Sequence, residues 1–219
     1  RHGTIDKYMG DCIMAFWGAP LADADHARHG LAAALAMQEK MKELREEFPK
    51  LGWPAMRIGV GLNSGVMNVG NMGSEFRRSY TVMGDAVNLA SRLEGITKEY
   101  GVQIIVGDET RAVLPDLVCR ELDKVRVKGK DIAVAIHEPL GFAGEVAAAT
   151  LAAAQQFAEA LAHYRAQRWA EAESALNDLL ATSAASGEKL YRLYLDRIAI
   201  LRDAPPGPEW DGSFTFKTK

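Results

Sequence analysis

Four places in this 219-residue sequence carry groups that could do chemistry. Gly10-Asp11 sets a carboxylate in a tight turn between two apolar runs, where the backbone leaves room for a ligand. The same dipeptide also serves as a plain turn. Asn88 and Arg92 stand four apart in Asp85-Ala86-Val87-Asn88-Leu89-Ala90-Ser91-Arg92-Leu93, so on a helix they share one face. Flanked by Val87, Leu89, Ala90 and Leu93, that face suits a helix lining a cleft, or an ordinary solvated surface. Val127-Lys128-Gly129-Lys130 places two cations around a glycine, which suits phosphate oxygens and equally describes a basic turn. Glycines 59, 61, 65, 70 and 73 would let backbone approach a phosphate, although no P-loop or spaced dinucleotide fingerprint accompanies them. The five histidines, His2, His26, His29, His137 and His163, lack metal-ligand spacing with the cysteines and read as surface or helix-face residues.

The elements that must position these groups alternate in type. Residues 3–18 read as two short strands around Gly10-Asp11. After Pro20, Asp23 or Asp25 can cap an amphipathic helix reaching Phe48, with Leu31, Leu35, Met37, Met41 and Leu44 on its buried face. Pro49, Gly52 and Pro54 then break the chain. A second strand pair is expected at 56–62 and 66–69 around Asn63-Ser64-Gly65, and a short strand at 79–82. A helix from Gly84 or Asp85 to Tyr100 follows, then strands at 103–106, 118–127 and 132–138. This alternation predicts α/β or α+β, and the hairpins favour a mixed or antiparallel sheet. From Gly144 the composition shifts to Ala, Leu, Glu and Gln, predicting helices at 145–166, 169–183 and 187–202 and an extended tail through Pro205-Pro206-Gly207-Pro208. Tyr164, Trp169, Ala172 and Leu176 resemble one helix-turn-helix repeat of the tetratricopeptide type. One copy is not an array, which favours a helical appendix packed on the main domain.

Composition narrows the classes of function. Lys and Arg number 26 against 29 Asp and Glu, a net charge of −3, so no broad basic footprint for nucleic acid exists. With 48% hydrophobic residues the chain is no disordered acidic polymer. Cys12 and Cys119 form no disulfide framework, which points to a reducing compartment. The expected location is the cytoplasm, including the cytoplasmic part of a membrane-anchored protein. No apolar run approaches the ~20 residues of a membrane span. The chain opens on Arg1, not Met, without a signal-peptide pattern, and reads as a piece of something longer.

Together these segments resemble the catalytic domain of class III adenylate/guanylate cyclases. The resemblance runs through Ile5-Asp6-Lys7-Tyr8-Met9-Gly10-Asp11, Met14-Ala15-Phe16-Trp17-Gly18 and Ile58-Gly59-Val60-Gly61-Leu62-Asn63-Ser64-Gly65. It continues in Val69-Gly70-Asn71-Met72-Gly73 and in Tyr80-Thr81-Val82-Met83-Gly84-Asp85-Ala86-Val87-Asn88-Leu89-Ala90-Ser91-Arg92-Leu93. Cys119-Arg120-Glu121-Leu122-Asp123 and Val127-Lys128-Gly129-Lys130 complete it, and the ending with Trp210-Asp211-Gly212 is similar to the C-terminal extension of bacterial members. The resemblance implies an α+β fold: a ferredoxin-like mixed or antiparallel sheet with flanking helices over residues 1–141, then a helical extension over 142–219.

It also implies an activity, conversion of ATP into 3′,5′-cyclic AMP and pyrophosphate, aided by two Mg²⁺ or Mn²⁺ ions. Asp11 matches a metal-binding aspartate. Asn88 and Arg92 match the residues that orient the ribose and stabilise charge on the α-phosphate, and Lys128 matches the lysine holding the terminal phosphates. Lys7 and Thr81 match the two purine-selecting positions. Adenine offers an acceptor at N1 and a donor at N6, which suits a lysine that only donates and a threonine that can accept. Guanine carries a donor at N1, where an acceptor such as Glu would be wanted in place of Lys7. Because the family divides each site between two subunits and this chain has both kinds of residue, a symmetric homodimer is implied. The family's other metal aspartate lies in a Phe-x-Asp-Ile type segment that would precede Arg1, and any sensor or membrane domain would also lie upstream of that point. On that ground this polypeptide alone is expected to be weak or inactive. The competing reading is a non-catalytic cyclase-homology module that dimerises and docks a partner through its helical tail.

Overall fold

The computed structural model describes residues 2–126, 133–182 and 187–213. Strands β1 (Thr4–Met9) and β2 (Cys12–Phe16) form an antiparallel hairpin that turns on Gly10, whose φ of +65° is open to glycine at no steric cost. The register slips between Ile5 and Lys7, so Asp6 occupies a bulge. Helix α1 (His26–Glu47) buries Ala27, Leu31, Ala34, Gln38 and Met41, the spacing of a single helical face. Met37, expected on that face, is 40% exposed. Asp25 holds the N-cap position but makes no side-chain cap, and its own amide donates to Asp23 Oδ1 (3.0 Å).

Beyond a 3₁₀ turn (Phe48–Leu51) lie β3 (Val60–Leu62), β4 (Asn68–Gly73), β5 (Arg78–Met83) and α2 (Asp85–Tyr100). Then come β6 (Ile104–Gly107), α3 (Asp108–Ala112), β7 (Leu117–Arg126) and β8 (Ala133–Phe142). Four strands form one mixed sheet in the order β3-β6-β8-β7, with β3 and β6 parallel and the other pairs antiparallel. The α+β expectation is met. The strand pair expected across Asn63-Ser64-Gly65 is not. Residues 60–62 pair with 104–106, and β4 pairs with β5 from Asn68↔Met83 to Gly73↔Arg78. The cause is α2. Gly61 lies so close beneath it that a Cβ would collide with the Ala90 carbonyl and the Glu94 amide, and Asn63 Nδ2 donates to the Ala86 carbonyl (3.1 Å). Those contacts draw the chain toward the helix and away from a hairpin.

Helices α4 (Ala148–Arg165), α5 (Trp169–Thr182) and α6 (Glu188–Asp203) lie within two or three residues of the expected ends. They share one apolar core with the sheet and α2. Phe157, Tyr164, Tyr191, Tyr194 and Ile198 pack with Leu93, Tyr100, Leu122 and Ile136. Among the described residues no helix is long and apolar enough to cross a membrane.

Within this core sits an ion pair. Arg197 Nη1 donates to Asp123 Oδ2 (2.6 Å), with the two side chains 2% and 0% exposed. Tyr100 donates to the same carboxylate oxygen (2.6 Å), and Tyr194 donates to the Leu122 carbonyl (2.7 Å). Burial pushes the Tyr100 and Tyr194 phenols well above their ordinary range, so both stay protonated donors. The pair therefore joins β7, α2 and α6. Replacing one partner alone strands the other in a dry site, so Arg197→Met should cost about 3–5 kcal/mol in urea unfolding. The double variant Arg197→Met/Asp123→Leu should recover most of that loss.

Candidate active site

The bulge at Asp6 decides how β1 meets β5. In a regular strand the neighbours Asp6 and Lys7 would point to opposite faces. A bulge re-aims one of them, and here both side chains reach Thr81. Lys7 Nζ donates to Thr81 Oγ1 (3.2 Å), and Thr81 Oγ1 donates to Asp6 Oδ2 (2.6 Å). Lys7 Nζ also lies 3.5 Å from Asp6 Oδ1. The Asp6 side chain is 1% exposed and that of Lys7 is 42% exposed, so the carboxylate forms the floor and the ammonium faces outward. Asp6 Oδ1 makes no hydrogen bond, and the nearby ammonium is its electrostatic compensation. Lys7 and Thr81, 74 residues apart, are thus in direct contact.

Gly84 alone links β5 to α2. Its φ of +155° and the Val66 carbonyl 3.3 Å from where a Cβ would sit both favour glycine. From it α2 runs with Leu93, Thr97 and Tyr100 buried, while Asn88 and Arg92 lie on its exposed side one turn apart. The face bearing the polar pair is therefore solvent-accessible and opposite the core. Asp11 is exposed at the β1–β2 tip. Lys128 lies outside the described residues.

The divalent ions implied by the resemblance find no complete site here. Among the described residues no group of three His, Cys, Asp or Glu side chains converges to hold a metal. Asp11 supplies one carboxylate, whereas Mg²⁺ requires near-octahedral oxygen coordination. The described residues of one chain do not fit the ion by themselves.

Sequence reasoning missed Asp6. It is one position from Lys7, and alternation puts it on the far face; only the bulge, which no residue type announces, brings it under Thr81.

Residues 5–138 match the adenylate and guanylate cyclase catalytic domain, and the chain belongs to that family. Adenylate cyclase 1 of Rhizobium meliloti (strain 1021) is 39% identical over 140 residues, covering 64% of this chain and 21% of that protein. The adenylate cyclase of Anabaena cylindrica is 41% identical over 147 residues, 62% of this chain and 28% of its own length. The chain thus spans less than a third of either relative. The crystal structure of the adenylyl cyclase CyaB from P. aeruginosa superposes with a TM-score of 0.58 at 33% identity, over 66% of this chain and 75% of that one. The guanylyl cyclase Cya2 superposes equally well, at 0.58 and 31% identity, over 65% and 72%. The likeness is to enzymes named for either purine.

The floor of this cluster has a measurable stability. Thr81→Val removes the hydroxyl that satisfies the buried Asp6 and should destabilise the chain by about 1–3 kcal/mol. Thr81→Ser retains the hydroxyl and should unfold in urea close to the wild type.

Proposed function

We propose that the chain is an adenylate cyclase domain that converts ATP to 3′,5′-cyclic AMP and pyrophosphate. The observation that carries this reading is the contact of Lys7 with Thr81. A lysine whose accessible ammonium only donates, beside a threonine oxygen with a lone pair to spare, presents one donor and one acceptor side by side. Adenine N1 accepts and adenine N6 donates, in complement. Guanine offers N1–H to the ammonium and O6 to the oxygen, two unfavourable pairs. Leaving such groups unpaired in a site discriminates strongly between bases.

The reaction forms a bond from the ribose 3′-oxygen to the α-phosphorus and breaks the bond from that phosphorus to the bridging oxygen of pyrophosphate. The 3′-hydroxyl proton leaves to solvent. Asn88, with an amide that donates and accepts, orients the ribose. Arg92, one turn on, places a planar fork of donors against the α-phosphate, where charge rises at the transition state. Lys128 is assigned to the terminal phosphates. Mg²⁺ or Mn²⁺ would assist, with Asp11 as one ligand; no step here depends on it.

Two such sites form in a homodimer. Tyr8, Met9 and Ile13 on the first hairpin, and Val66, Phe76 and Met83 around the second, are all more than half exposed. Apolar side chains concentrated on two hairpins mark a surface that another chain covers. The helical extension, residues 142–219, is read as a buttress of the cyclase domain.

Turnover with ATP or GTP and Mn²⁺, read as cyclic nucleotide at high protein concentration because this polypeptide alone is expected to be weak, tests this reading. ATP should be the better substrate, and equal or better use of GTP overturns the base assignment. Arg92→Ala should lower kcat about 10²–10³-fold, the usual effect of removing one transition-state donor. Lys7→Glu should move the preference toward GTP.

A further inference from the structure

The hydroxyl of Thr81 has one proton, and its partners determine where that proton points. Asp6, as a carboxylate, can only accept; Lys7 can only donate. With Thr81 Oγ1 2.6 Å from Asp6 Oδ2 and 3.2 Å from Lys7 Nζ, the proton must lie toward Asp6. The remaining lone pair of the oxygen is then the only capacity left on Thr81. A threonine without Asp6 would be different. Its hydroxyl could rotate, accepting from an amino group or donating to a carbonyl oxygen, and so would serve adenine N6 and guanine O6 alike.

We infer that Asp6 is a specificity-determining positioning residue: it locks Thr81 as an acceptor and so makes the site reject a 6-oxopurine. This rests on the assignment of Lys7 and Thr81 to the purine. Asp6 itself touches no nucleotide, since its side chain is 1% exposed beneath Lys7 and Thr81. Its depth is what makes the lock effective. Water cannot take the Thr81 proton in its place, and the 2.6 Å separation is that of a charge-assisted O–H···O⁻ bond. The ammonium 3.5 Å away compensates the buried charge, so one lysine both faces the base and stabilises the lock.

Binding of 3′-deoxy-ATP and 3′-deoxy-GTP, which lack the attacking hydroxyl, separates recognition from turnover. Titration calorimetry on the full 219-residue chain with Mg²⁺ should show the wild type preferring the adenine nucleotide. Asp6→Ala should cut the adenine-to-guanine affinity ratio by about tenfold, chiefly by strengthening guanine binding, as expected when one unmatched polar contact is relieved. Asp6→Leu fills the same space without an acceptor and should give the same loss. In a Thr81→Ala background, Asp6→Ala should leave the ratio unchanged, because no hydroxyl remains to be locked. A merely structural Asp6 would lower the melting temperature and weaken both nucleotides in proportion; an unchanged ratio in both Asp6 variants overturns the inference and leaves the adenylate cyclase reading intact. A wild type with no purine preference overturns both.

Discussion

The ion pair between Asp123 and Arg197 is the interaction on which the rest of the molecule hangs. One carboxylate oxygen, fully buried, takes hydrogen bonds from α6 through Arg197 and from α2 through Tyr100, while its own strand belongs to the central sheet. Burying two charges is expensive, and the cost is offset only when geometry and further hydrogen bonds are right. Here the Tyr100 phenol, held protonated by burial, supplies a further hydrogen bond to the carboxylate. Such a pair favours one arrangement of three elements over loosely packed alternatives, which an oily contact between the same helices would do less sharply. The inner side of α2 is thereby held, and its outer side can present polar residues at fixed positions.

The proposed cyclase site inherits that division. In that assignment the purine end is built on hairpins, where the decisive feature is a bulge, and the phosphate end on a helix anchored in the core. The two ends rest on different physics. Recognition of the base depends on the directions of a few hydrogen bonds, each worth little alone but costly when mismatched. Stabilisation of developing charge depends on a donor already in place, which is why an arginine on a rigid helix serves better than one on a loop.

Much of this was legible in the residues. Gly10-Asp11 announced the first hairpin, the spacing of Asn88 and Arg92 announced a shared face, and the Ala- and Leu-rich stretch announced three helices. Those signals are local, set by turn chemistry and helical periodicity. The partner of β3 was not legible, because parallel pairing with β6 joins residues 44 positions apart and leaves no short-range trace. The short α3 was missed as well, since five residues are too few to show a period. Within the site, Lys7 and Thr81 were found by resemblance and stand in contact. Asp6 was missed for the opposite reason: the alternation rule that reads strands correctly elsewhere fails at a bulge.

Gly84 is the sole residue between the strand carrying Thr81 and the helix carrying Asn88 and Arg92. A connection that short has almost no slack, so β5 and α2 behave as two arms of one bent lever. Any tilt of the β4–β5 hairpin is therefore passed to the first turn of α2, close to Asn88 and one turn before Arg92. On the proposed assignment of Thr81 to the base and of Asn88 and Arg92 to the ribose and phosphate, a wrongly seated base would be penalised twice, once in affinity and again in the placement of those groups.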